Sequence, residues 1–194
     1  MAGQFDGVSG LVAAKVMARV NRDMEAQAIE RLSPAPSDRV LVLGFGPGVG
    51  IELLLKRLAR GRVRGVDPSA VMVKEAARRN RAAIAAHRLE LVETDAAHLP
   101  FPDAEFDGAI AVNSIQLWEP LPESSSEVAR VLRPGARLVS LTHDWAITRH
   151  AATVEEWLAR TETALLRAGL GQASRALGSA RSGRTVGLVV RRLG

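Results

Sequence analysis

One stretch constrains this chain more than any other: the aliphatic run Val40-Leu41-Val42-Leu43, followed at once by Gly44-Phe45-Gly46-Pro47-Gly48 and then by helical periodicity from Ile51 to Leu58. An aliphatic run without polar alternation suits a strand covered on both faces, as parallel strands are. The glycines let the backbone turn sharply into the helix and approach a ligand with no side chain between. The helix start then offers unpaired N–H groups to that ligand. A ligand-binding strand–turn–helix is therefore expected near the front of an α/β layer.

The rest of the chain repeats the alternation. Val63 to Val66 is a second strand ending at Asp67, and Ser69 caps a helix expected to run to about Ala86. Leu89 to Val92 is a third strand, ending in Glu93-Thr94-Asp95, and residues 97–107 read as a loop. Ala109 to Val112 is a fourth strand, Pro122 to Leu132 a helix stopped by Pro134-Gly135, and Arg137 to Thr142 a fifth strand. Thr153 and Glu156 have capping-box spacing and open a helix ended by Ala168-Gly169. Ala173 to Leu177 and Thr185 to Val190 read as an antiparallel hairpin. Before all this, apolar residues from Leu11 to Leu32 make one helical stripe, stopped by Ser33-Pro34-Ala35-Pro36. The expected organisation is an N-terminal helical cap and linker over residues 1–36 and one domain over residues 37–194. In such a sheet the ligand crevice lies beyond the carboxyl ends of the strands.

Composition removes several functions. The chain has no cysteine, which excludes disulfides, thiolate metal sites and cysteine nucleophiles. Its 26 basic and 21 acidic residues give a net charge of +5, but the arginines are scattered. That reads as a solvated basic surface rather than a polyanion footprint. No stretch reaches about 18 uninterrupted apolar residues and the start has no secretory pattern, so the expectation is a soluble, cytoplasmic protein without a membrane span.

Asp67 lies 19 residues after Gly48, where its carboxylate can accept from both hydroxyls of a ribose. A nucleoside ligand follows. The G-x-G-x-G pattern departs from the G-x-G-x-x-G of dinucleotide sites, yet a nicotinamide enzyme stays open on these residues alone.

The chain resembles the class I S-adenosylmethionine-dependent methyltransferases, in particular the small type 11 group that acts mostly on small molecules. The resemblance is carried by VLVLGFGPG (Val40 to Gly48), GVDPSAVMV (Gly65 to Val73), LVETDAAHLPFPDAEFDGAIAVNSIQLW (Leu91 to Trp118) and EVARVLRPGARLV (Glu127 to Val139). It implies a Rossmann-like, mostly parallel α/β sheet of seven strands in the order 3-2-1-4-5-7-6, strand seven antiparallel, with helices on both faces. It also implies S-adenosylmethionine as cofactor and S-adenosylhomocysteine as product. Gly44, Phe45, Gly46 and Gly48 would lie against the methionine and ribose part, and Asp67 on the ribose hydroxyls. Pro68 and Met72 would flank adenine, Asp95 and Ala96 would bond its edge, and Asn113 would lie near the sulfonium. One position departs from the family: members commonly carry Asp or Glu where this chain has Val42, a charge that helps hold the methionine ammonium.

Methyl transfer needs alignment of acceptor and methyl carbon more than acid–base chemistry, and a base only where the acceptor's proton is hard to lose. His143 with Asp144, after strand five, is the first choice for that base. Gln116, Trp118 and Trp145 are positioned to line an acceptor pocket. No metal is expected, since Asn113 and Asp144 alone supply too few oxygen ligands. The expected partner is a small-molecule acceptor bound to an oxygen-, nitrogen- or carbon-methylating enzyme, with a second subunit as a way to complete an open cavity. Nucleic-acid methylation is disfavoured by the absent cysteine and the absent Asn/Asp-Pro-Pro-aromatic motif after strand four. A noncatalytic or repurposed member of the fold is the rival that Val42 motivates.

Overall fold

Every residue of β1 after Arg39 is buried, as its unbroken aliphatic run requires, because helices cover both faces of the sheet it sits in. The structure, a computed structural model, describes residues 21–181 and 183–194. The expected helical stripe over residues 11–20 lies outside them. The chain runs α1 (Arg22–Leu32), β1 (Arg39–Leu43), α2 (Val49–Arg57), β2 (Arg62–Asp67), α3 (Ala70–Arg79), α4 (Arg81–Ala85), β3 (Leu89–Glu93) and β4 (Phe106–Val112). It continues through a 3-10 turn (Ile115–Leu117) to α5 (Leu121–Val131), β5 (Leu132–His143), α6 (Asp144–Ile147), α7 (Val154–Arg167), β6 (Leu170–Ala180) and β7 (Gly183–Arg192).

The seven strands lie in the order β3-β2-β1-β4-β5-β7-β6. β1 is parallel to β2 and β4, and β7 is antiparallel to both β5 and β6. This is the sheet that the resemblance implies. Alternation along β1 divides the core in two. Val40 and Val42 face α1, α2 and α3, packing with Met24, Ile29, Leu32, Leu54 and Met72. Leu41 and Leu43 face the other way, toward Val128 of α5 and Trp157, Leu158 and Leu165 of α7. The linker after α1 therefore separates no packing unit, because α1 supplies part of the first core layer. No helix among the described residues is long and apolar enough to cross a membrane.

Several elements differ from expectation, β4 among them, which starts at Phe106 inside the expected loop rather than at Ala109. The helix opened by Ser69 does not run unbroken to Ala86: it stops at Arg79, because Asn80 turns its side-chain amide onto the carbonyls of Gly48 and Ala76. β5 starts at Leu132 rather than Arg137, taking in Pro134-Gly135, with a register shift against β4 between Phe106 and Gly108 that absorbs the proline. β6 is longer than Ala173 to Leu177, since pairing with β7 extends it to both sides of a shift between Gly171 and Ser174. β6 is the outermost strand, and its Arg175 reaches back to Glu155 and Glu162 of α7.

Candidate active site

The three glycines after β1 all have left-handed φ, but each is needed for a different reason. At Gly44 (φ +70°) a Cβ would overlap Ser114, whose hydroxyl donates to the Leu43 carbonyl at 2.7 Å. At Gly48 (φ +78°) it would stand 2.7 Å from Asn80 Nδ2 and 2.8 Å from Ala76 Cβ. At Gly46 (φ +51°) nothing lies within 4 Å of where a Cβ would be. The first two glycines let protein pack on protein. The third opens its face to space that a ligand can fill.

Asp67 ends β2 beside that opening, only 7% exposed. Its Oδ2 accepts from the Gly46 N–H at 2.9 Å and its Oδ1 from the Ser69 N–H at 3.0 Å. Burial pushes its pKa up, and the two backbone donors oppose that. Each carboxylate oxygen keeps a lone pair for a ribose hydroxyl, so the residues present fit a nucleoside. Phe45 is buried against the strand at Gly65, and Pro68 is exposed beside Asp67. Met72 is buried in the helix-covered core layer. Asp95 is exposed, accepting from the Ala97 N–H and lying 2.8 Å from His98 Nδ1, while Ala96 is buried.

The ends of β4 and β5 form the other half of the crevice. Asn113 adopts φ +49° and uses its side chain as a clasp. Its Oδ1 accepts from the His143 N–H at 3.0 Å, and its Nδ2 donates to Asn21 Oδ1 at 3.0 Å and lies 3.8 Å from the Met24 sulfur. His143 is fully buried with Trp145 stacked on it, ring centroids 5.5 Å apart. Burial lowers the histidine's pKa, against a hydrogen bond to the Arg184 backbone and the nearby Asp144 charge, so the ring is neutral at pH 7. Asp144 does not orient that ring: its carboxylate takes the Trp145 N–H and an ion pair with Arg184. Gln116 is held between the Asn113 carbonyl and Thr142 Oγ1. Trp118 is buried in the core facing α5 and α7, whereas Trp145 is 46% exposed with Arg149 over its ring. The two tryptophans thus separate into one packed and one open.

Sequence reading missed Ser114 and Asn80, which hold the loop from below, and Glu25 of α1. Glu25 is 6% exposed, lies where a Cβ on Gly50 would go, and its Oε2 has no hydrogen-bond partner among the described residues. Gly50, an extra glycine in the first turn of α2, was the available signal. Among the described residues no cluster of three or more His, Asp or Glu could hold a metal ion.

Comparisons with known proteins agree with this geometry. Residues 41–140 match the methyltransferase domain family. An uncharacterized methyltransferase, YdaC of Bacillus subtilis, is 29% identical over 66% of this chain and 68% of its own length. A fatty-acid O-methyltransferase of Mycolicibacterium smegmatis is 38% identical over 50% of this chain, which spans only 34% of that relative's length. The crystal structure of a SAM-dependent methyltransferase from Aquifex aeolicus superposes with a TM-score of 0.74 at 19% identity, covering 94% of this chain and 98% of the other. The chain belongs to the methyltransferase domain family.

Proposed function

We propose that this chain binds S-adenosylmethionine and transfers its methyl group to an oxygen, nitrogen or carbon of a small molecule. The observation that carries the reading is the open face of Gly46 beside the buried Asp67 carboxylate, at the carboxyl ends of β1 and β2. Asp67 would take the ribose hydroxyls, and Gly44 to Gly48 would lie along the tail that joins ribose to sulfur. Pro68 would border adenine, with Asp95 and the Ala96 N–H on its edge, whereas Met72, expected there too, is taken up by the core behind it. When bound, the cofactor supplies an activated methyl group and a neutral leaving group. The protein's own task is to align an acceptor and exclude water, a contribution of up to about 7–11 kcal/mol.

Trp145, at the end of β5, is stacked on His143 and carries the Arg149 guanidinium over its ring, so its exposed edge is the part that can meet an acceptor. Under it, neutral His143 is in the protonation state of a base, and a shift of Trp145 would uncover it to an acceptor hydroxyl or amine. Gln116 sits between the strand ends, where it can orient the acceptor. Calorimetric titration with S-adenosylmethionine and S-adenosylhomocysteine tests the reading. Saturable binding is expected, and no heat at millimolar cofactor would sink it. The second reading, a noncatalytic or repurposed member, is favoured by Val42, which is apolar and buried where the family commonly carries a carboxylate. Cofactor binding without turnover across a panel of phenols, carboxylic acids and amines would support it.

A further inference from the structure

Glu25 of α1 is a buried acid that forms no ion pair among the described residues. It is more than nine-tenths buried, its Oε2 has no hydrogen-bond partner among the described residues, and its carboxyl lies against the second residue of α2. Gly50 leaves the space that the carboxyl fills. The surrounding topology says what faces it. The glycine loop leaves the end of β1, with β2 and its Asp67 on one side and β4 on the other. Asn113, just after β4, bonds Asn21 and touches Met24, which sets the first turn of α1 on the β4 side. A nucleoside with its ribose on Asp67 therefore extends its tail across β1 toward β4, away from Asp67 and toward α1. The far end of that tail in S-adenosylmethionine carries an ammonium and a carboxylate.

We propose that Glu25 is the anionic partner of the cofactor's ammonium, supplied by α1 in place of the strand carboxylate absent at Val42. This rests on the cofactor reading above. The first turn of α2 favours a negative charge there, yet burial dominates while no cation is present, and it pushes the Glu25 pKa up to about 8. Glu25 is then neutral at pH 7 and gives its proton to solvent when the ammonium arrives. The charged or titratable groups on the elements packed on α1 are Glu52, Lys56 and Arg57 on α2, Asp107 on β4, and Arg133, Arg137 and the neutral His143 on β5. Glu52 pairs with Lys56 and Arg79, Asp107 with Arg133, and Arg137 with the Leu32 carbonyl. On α1 itself Asp23 pairs with Arg181, and Arg31 bonds the Gln27 carbonyl. Arg22 and Glu30 are exposed.

The test compares two probes with the same nucleoside: S-adenosylhomocysteine, which has the ammonium, and 5′-methylthioadenosine, which lacks the amino-acid tail. Glu25→Gln is expected to weaken S-adenosylhomocysteine at least about tenfold and to leave 5′-methylthioadenosine within about twofold. Unchanged affinity for the first probe, or equal loss for both, overturns the assignment and leaves the cofactor reading intact. If the wild-type chain binds neither probe, the cofactor reading itself has failed and this assignment with it. Calorimetry of the wild-type chain at pH 7, in buffers of different ionisation heat, does not depend on the variant folding. About one proton should be released with S-adenosylhomocysteine and none with 5′-methylthioadenosine, and equal release for the two probes overturns the proposal.

Discussion

Glu25 makes a prediction about the chain without any ligand. Its pKa rises from 4.5 to about 8 on folding, because burial penalises the charge and no cation among the described residues compensates. Between those values the folded chain holds the proton and the unfolded chain has lost it, so stability falls as pH rises through the window and levels off above about 8. At about 1.4 kcal/mol per pH unit, the full window withdraws about 5 kcal/mol, less whatever the interface relaxes when the acid ionises. That is a large share of the ~5–15 kcal/mol that holds an ordinary domain. Replacing Glu25 by Gln keeps the shape and removes the ionisation. Urea unfolding of both proteins from about pH 5 to about pH 9 should show the variant gaining on the wild type up to about pH 8 and then holding a constant lead, several kcal/mol in all. Other groups titrate too: His143, whose pKa is lowered, makes stability rise with pH, and Asp67, whose pKa is raised, makes it fall. Both are common to the two proteins and cancel in the difference. Parallel profiles, with a constant gap from end to end, would refute the view that Glu25 is buried without a counter-charge.

Gly48→Ala should destabilise the chain by about 2–4 kcal/mol in chemical denaturation, because alanine pays for left-handed backbone and also meets Asn80 and Ala76. Trp118→Ala should cost about 3–5 kcal/mol of stability as a cavity in a packed core. Trp145→Ala should cost under about 1 kcal/mol and instead raise KM for the methyl acceptor, read from steady-state kinetics. Arg130→Leu breaks a node in which one guanidinium serves Glu127, Asp103 and the carbonyls of Leu99 and Phe101. A loss of about 2 kcal/mol, or about 4–8 °C in melting temperature, is expected with cofactor affinity unchanged.

What could be read from sequence and what could not divide along the range of the interactions. The aliphatic run of β1, the Ser69 cap and the Thr153–Glu156 capping box are local, and all three form as their residues dictate. Asp67 was legible because a strand end must deliver its last side chain to the crevice. The strand order came from the family resemblance, since periodicity alone does not say that β4 lies beside β1. The supports of the loop stayed hidden because each spans many residues: Ser114 reaches Leu43, Asn80 reaches Gly48, and Glu25 meets Gly50 across the α1–α2 interface. A lone Ser, Asn or Glu carries no periodic signal, and only the folded partner gives it meaning. Asp144 shows the reverse error, where adjacency to His143 in sequence suggested a pair and Arg184 of β7 claimed the carboxylate instead.

Among the described residues β6 is a border strand of 11 residues, mostly exposed, and such a border is a template on which a second chain can add a strand. The register shift between Gly171 and Ser174 spoils the regular row of donors and acceptors that an incoming strand would need. Arg175, held by two glutamates of α7, keeps a charge at that border. Neither feature touches the crevice. Both oppose strand addition at that rim, so straightening the shift and neutralising Arg175 together is expected to increase aggregation, read by light scattering.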